Sequence, residues 1–285
     1  MWITRAKGRR KAWHLLMAVT LAAAASAQAQ VGPSPAEAAR YQGLHAAAHA
    51  GDAARIASLA AAPAGLNARD GHGRTPLHVA TFARQRGAIQ ALAKAGADLN
   101  LLEHDRYDAV TIASVANDEE TLKLLLSLGA SAKQVTSRYD GTALIAAAHL
   151  GHAGVVRQLI AAGAPLDHVN NLHWTAAIES VVLGDGGPRH QDTLRALVQA
   201  GANLQLADRE GRTPLQLAKA RGYAEMVKLL KQAWLAPSTS EANRLIDGGG
   251  VRIDQAPVSD KGLKLEAGTY VVQVGKRKFA RVTLN

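Results

Sequence analysis

The 285-residue chain contains no cysteine. That removes disulfides, thiol catalysis, cysteine-ligated zinc and a lipid-modified N-terminal cysteine. Aromatics are scarce, at 4% of residues, although apolar residues reach 48%. The core must then be built mainly from Ala, Leu, Val and Ile. Such a core is thin and closely layered, and it suits small helices packed side by side. Long apolar runs are also missing. After the first thirty residues no stretch approaches the roughly 20 apolar residues that a membrane span needs. There is no His-Glu-x-x-His, no nucleophile elbow and no Cys-His arrangement. The sequence therefore predicts neither an enzyme nor a cofactor, and no metal site.

The N-terminus reads separately from the rest. Arg5, Lys7, Arg9, Arg10 and Lys11 precede an apolar run from Leu15 to Ala25, followed by Ala-x-Ala steps at 25–27 and 27–29. This is the three-part pattern of a secretory signal peptide, residues 1–27, with cleavage expected after Ala27 or Ala29. An uncleaved membrane anchor is the alternative. The whole chain is formally +10; without the five leader cations, 28 basic side chains face 23 acidic ones, a net +5. So mild an excess, on an exported protein, argues against nucleic acid as a partner.

One stretch, "DGHGRTPLHVA" from Asp70 to Ala80, keeps returning. Aligned on its threonine, the chain shows Thr75, Asp108, Thr142, Thr175 and Thr213, at spacings of 33, 34, 33 and 38 residues. Leu44-His45 lies 33 residues before Leu77-His78, which adds an earlier unit. Gly96, Gly129 and Gly163 each fall 21 residues past an anchor, where a left-handed helix stop belongs. In the fifth unit the matching Gly201 comes five residues late, because "GDGGPRHQ" is inserted between Gly184 and Gln191. Each anchor can cap a helix, and Pro76 and Pro214 suit its first turn. A fixed period of this length marks a repeat array. The glycines of the opening stretch are then turn residues, since a phosphate cradle needs a preceding strand and, in one form, a Lys-Ser/Thr pair.

"GRTPLHVA", "AAAHLGHAGVVRQLIAAGAPLD" and "GRTPLQLAKARGYAEMVKLL" resemble ankyrin repeats. The resemblance covers about residues 41–236 in six units and implies a mainly α ankyrin-repeat solenoid that binds proteins through its concave groove. It also implies that His45, His78 and His152 are structural, bonding backbone around the turns. Three departures stand out. The third unit, "DRYDAVTIASV", lacks glycine and proline, so a looser start is expected with Asp108 as cap. The first unit has Gln42 at the cap and Pro63 in place of glycine. The insertion should lengthen a loop or extend its helices.

The repeat register nominates a groove. Tips carry Arg74, Tyr107, Trp174 and Arg212 one residue before the anchors, with Arg138 and Tyr139 nearby; inner helices carry Phe82 and His149 seven residues past them. Tyr107, Tyr139 and Trp174 fall on successive tips, where rings either anchor a partner or cover the neighbouring turn. The structural positions are Thr75, His78, Asp108, Thr142, His152, Thr175 and Thr213.

Residues 28–40 and 237–250 read as linkers by composition. Residues 251–285 alternate in β-favouring residues, with Tyr270, Val272 and Val274 on one face and a turn at Gly275-Lys276. A small sheet leaning on the last repeat, with Trp234 as a joint, is expected; a disordered tail, or an edge that joins a partner's sheet, are the alternatives. The cluster Lys276, Arg277, Lys278 and Arg281 is a solvated run or a contact for an anionic surface. The resemblance together with the leader implies a periplasmic or secreted scaffold for a protein partner, without stable membrane insertion. Rival readings are a ligand-binding or enzymatic role at the fifth-repeat insertion and tail, and an antidote or inhibitor of a partner protein.

Overall fold

The computed structural model describes residues 30–60, 65–235, 239–266, 268–276 and 278–284, with side chains defined outside 232–242 and 277–285. The leader with both cleavage positions, Pro63, the ring of Trp234 and the side chains of Arg277, Lys278 and Arg281 lie outside the described residues.

A short helix, α1 (Pro35–Ala38), precedes six helix pairs. They are α2 (Gly43–Ala50) and α3 (Ala53–Leu59), α4 (Pro76–Phe82) and α5 (Arg86–Lys94), and α6 (Ala109–Val115) and α7 (Glu119–Ser127). The series continues with α8 (Ala143–Leu150) and α9 (Ala153–Ala161), α10 (Ala176–Val182) and α11 (Pro188–Gln199), and α12 (Pro214–Ala220) and α13 (Ala224–Leu235). First helices pack on first helices and second on second, so two parallel stacks run along the molecule. Between them lies one continuous core that includes Leu77, Leu92, Leu122, Leu144, Ile178 and Leu197. Burying one such side chain is worth about 1.5–3 kcal/mol. A single pair could cover only part of its own apolar surface; its neighbours cover the rest.

Every anchor caps its helix. Thr111 N–H donates to Asp108 Oδ1 at 2.7 Å, Ile145 N–H to Thr142 Oγ1 at 3.3 Å and Ile178 N–H to Thr175 Oγ1 at 3.3 Å. Thr75 and Thr213 add the reciprocal bond of a capping box. Gln42 makes no side-chain cap bond, as its residue type suggested. The expected looseness of the third unit is absent. The residue two before each anchor has positive φ whatever its identity: Gly73 (73°), Arg106 (67°), Asp140 (51°), His173 (63°) and Gly211 (73°). A left-handed non-glycine residue costs about 1–2 kcal/mol. Arg106 tolerates it because its carbonyl accepts from Ser137 N–H of the next tip at 2.8 Å. Five residues before the anchor, the side chains of Asp70, Asn170 and Asp208 each accept two tip N–H groups.

The histidines tie unit to unit. His45 Nε2 meets the Arg74 carbonyl at 2.9 Å and His152 Nδ1 that of Ser114 at 3.0 Å. His78 accepts the Thr75 N–H at Nδ1 (3.1 Å) and so donates from Nε2 to the Tyr107 carbonyl (3.1 Å). The insertion both lengthens the loop and extends the helix: α11 has twelve residues and starts on Gly187 and Pro188. Its His190 donates to the carbonyl of His149 at 2.9 Å, doing for the fifth unit what His152 does for the fourth.

Two stretches expected as linkers are partly helical. Within 28–40, α1 closes on a Ser34–Glu37 capping box. Within 237–250, α14 spans Thr239–Asp247; Ser238 and Glu241 have the capping-box spacing, a signal masked by the serine-rich composition. Strands β1 (Val251–Ile253), β2 (Ala256–Pro257), β3 (Gly268–Val274) and β4 (Lys278–Leu284) form an antiparallel sheet in the order β2-β1-β3-β4. Val272 pairs with Ile253 and Ala280, and Gly275 turns β3 into β4. Tyr270, Val272 and Val274 share the more buried face, and β4 rests on α13.

Two outcomes are expected. Gly211→Ala should cost about 1 kcal/mol in urea unfolding, since its φ is left-handed with open space around it. Gly73→Ala should cost a similar amount, because its φ is equally left-handed and the exposed His104 ring that its Cβ would meet can turn aside. Burial also lowers the His78 pKa from 6.5 to about 4, so the folded state holds that proton less tightly than the unfolded chain. Its contribution is complete above pH 6.5 and is lost as the pH falls to about 4, by up to about 3 kcal/mol. Urea titrations between pH 7 and 4 should show that decline, and His78→Gln should flatten it.

Candidate functional site

The tips and first helices of the third to fifth units enclose a concave pocket of about 290 Å³. Tyr107, Tyr139, Trp174 and His149, predicted from repeat register, all line it. Tyr107 is 7% exposed, and burial raises its phenol pKa. Tyr139 and Trp174 are half-buried, and Trp174 also packs on the core. These rings therefore cover neighbouring turns and at the same time wall the pocket. Ile145, Leu150 and Leu183 supply its apolar floor.

The remaining groove residues divide. Phe82 lies farther along, with the backbone of Gly32 against its ring: a Cβ on Gly32 would sit 3.1 Å from Phe82 Cδ1. Arg138 is exposed and pairs with Asp105 at 3.2 Å. Arg212 is half-exposed and holds Asp208 and Glu210. Arg74 corrects the expectation: it is 3% exposed and cannot flank an open groove. Its Nε donates to Asp70 Oδ2 at 2.7 Å and its Nη2 to Glu37 Oε1 at 2.7 Å. Tyr41 O–H also donates to Asp70. Burial pushes the Asp70 carboxyl up, but bonds from Tyr41 and Arg74 hold it down at about 2. Bonds from Ser34 and Arg74 likewise hold Glu37 at about 2. This network fastens α1 to the first repeats, so the arginine is structural.

The pocket's most unusual residue went unnoticed in the sequence. Glu179 is 4% exposed on α10 and lines the pocket. Its Oε1 accepts from Asn170 Nδ2 at 3.0 Å. The amide orientation is fixed, because Asn170 Oδ1 already accepts two tip N–H groups. Its Oε2 has no hydrogen-bond partner among the described residues. The nearest charge-capable atom is His149 Nδ1 at 3.4 Å. The signal was in the register: four residues past the anchor the other units carry Val79, Ile112, Ala146 and Leu217. No cluster of three or more metal-capable side chains occurs among the described residues. A lone carboxylate beside an imidazole, in an aromatic and aliphatic hollow, is suited to recognising a hydrogen-bond donor.

Comparison with known proteins agrees with this geometry. The chain matches "Ankyrin repeat" over residues 72–104, "Ankyrin repeats (3 copies)" over 110–208 and "Ankyrin repeats (many copies)" over 188–230. It also matches "S4 domain" over 227–271, in the tail for which the sequence reading named no family. A solved ankyrin repeat domain from Acinetobacter baumannii AYE is 43% identical, with a TM-score of 0.63, over 67% of this chain and 97% of that one. The solved ankyrin repeat protein EF0377 is 30% identical, with a TM-score of 0.60, over 67% of this chain and 98% of that one. Tyrosine–tRNA ligases of Ralstonia nicotianae and Cupriavidus pinatubonensis are 68% and 73% identical over 60 and 59 residues. That is 21% of this chain, which spans only 15% and 14% of those ligases. Repeat register, stacked helix pairs and solved relatives agree: the chain belongs to the ankyrin-repeat family.

Proposed function

We propose that this protein is a non-catalytic scaffold that holds a protein partner in its concave groove and works in the bacterial envelope. Ankyrin repeats imply protein–protein interaction, and the observation that carries the reading is the convergence of Tyr139 and Trp174, walled by Tyr107, on one apolar pocket. Large rings lose little entropy on binding and dominate interface energetics. The envelope location rests on the basic, apolar and Ala-x-Ala pattern of residues 1–29. No helix among the described residues is long and apolar enough to cross a membrane.

The S4 match supports a second reading, for the C-terminal unit alone. Tyrosine–tRNA ligases also match a segment of about this length, 60 and 59 residues. Arg252, Lys264 and Lys276 are exposed on the unit. The argument from net charge excluded nucleic acid for the whole chain; it does not weigh a basic patch on one end. In this reading the unit contacts tRNA-like RNA.

Affinity capture from a periplasmic fraction tests the first reading. The Tyr139→Ala, Trp174→Ala double variant should retain the wild-type circular dichroism and lose its partner by about tenfold or more in affinity. Undiminished capture would remove the groove from the account. For the second, the full chain should raise the anisotropy of labelled tRNA, with affinity falling steeply as salt rises. No change at any salt concentration eliminates RNA.

A further inference from the structure

The geometry points to a cation-binding subsite in the pocket, with Glu179 Oε2 as counter-ion and a partner's lysine or arginine side chain as occupant. This deepens the groove reading and rests on it. A buried carboxylate oxygen without a hydrogen bond is costly, and buried polar groups are almost always satisfied. Glu179 replaces Val, Ile, Ala or Leu at the same register position of the other units, so the helix does not require it. Asn170 holds one oxygen and thereby aims the other. Aromatic rings line the same pocket. Tyr139 and Trp174 offer π-faces that attract a cation as well as apolar surface for its methylene stem. A group without a donor would leave Oε2 with only the His149 ring at 3.4 Å, and a neutral donor would give it an ordinary bond; an ammonium or guanidinium gives the stronger charge-assisted bond.

The protein shows that a polypeptide fits this place. Gln30 lines the same pocket, and the chain from it passes Gly32 against Phe82 on the way to α1. The Gln30 amide nitrogen is itself buried without a hydrogen-bond partner among the described residues. A long, donor-tipped side chain on an irregular segment thus already enters the hollow. It lacks the charge that Glu179 calls for. A basic residue on a partner segment running the same way would supply it and displace Gln30.

Two acetylated, amidated pentapeptides test the idea, alike except for a central lysine in one and norleucine in the other. The full chain is titrated with each by isothermal titration calorimetry. The lysine peptide should bind about tenfold or more tighter, as a charge-assisted bond implies. Glu179→Gln should bring the two peptides to equal affinity. Glu179→Leu, which installs the residue of the last repeat, should fold at least as stably and also lose the preference. Gln30→Ala should tighten lysine binding. Equal binding by the wild type, or a preference that survives both Glu179 variants, overturns the subsite. So does the absence of binding by the lysine peptide. None of these outcomes touches partner capture by the groove, which depends on Tyr139 and Trp174 and is read separately.

Discussion

The structure depends on one constraint: no helix pair in it can satisfy its own surface. Each needs the next, for apolar cover and for hydrogen bonds. The His78 ring spends one nitrogen on its own helix start and the other on the Tyr107 carbonyl of the following unit. The Arg106 carbonyl accepts from the Ser137 amide, and Tyr139 from Asn171. These bonds lock the rise between units at a fixed value. That in turn lets alanines such as Ala147, Ala148 and Ala177 close the spacing between adjacent helices. The left-handed residues at the tips follow from the same demand. Arg106, Asp140 and His173 adopt this backbone without glycine, and Arg106 presents its carbonyl to the Ser137 amide of the next tip.

The pocket exists because the repeats are regular, and it is chemically distinct because one of them is not. Repetition brings Tyr107, Tyr139 and Trp174 to one pocket, since each sits on the tip of a successive unit, Tyr107 and Trp174 one residue before the anchor and Tyr139 three before it. A departure from the pattern then stands alone against a uniform background. Glu179 occupies a position that other units fill with aliphatic carbon, and the fifth unit also carries the inserted loop. His190, on the helix that the loop extends, donates to the carbonyl of His149, the residue that faces Glu179. The insertion is thereby tied to the pocket through backbone.

The six-unit array and its caps were legible in the sequence, because period and residue type carry them; that His45, His78 and His152 bond backbone was implied by the ankyrin resemblance, and the structure adds that these bonds run from unit to unit. The aromatic wall was legible for the same reason. What escaped was pairing across distance. Arg74 sits at a tip position and looks exposed in the register, but Asp70 lies four residues before it and Glu37 reaches it from a segment outside the repeats. Glu179 was passed over because a carboxylate on a helix reads as a solvated face unless the columns of the repeat are compared. The helix Thr239–Asp247 was hidden by a serine-rich start that suggested a linker. The tail sheet was visible in its alternation, yet its kinship was not, since short alternating strands occur in many folds.

The ankyrin and S4 matches overlap at residues 227–230, inside the single helix α13. The last helix of the array therefore falls within both matches, and β4 returns to rest on that helix. The last repeat is then covered by the sheet, whereas α2 of the first unit has no side-chain cap. The most direct test of neighbour dependence is native-state hydrogen exchange on the full chain. The account requires the strongest protection in α6, α8 and α10, declining toward α2. Equal protection of α2 and α8, or pairs that open with no relation to their position in the stack, would contradict it.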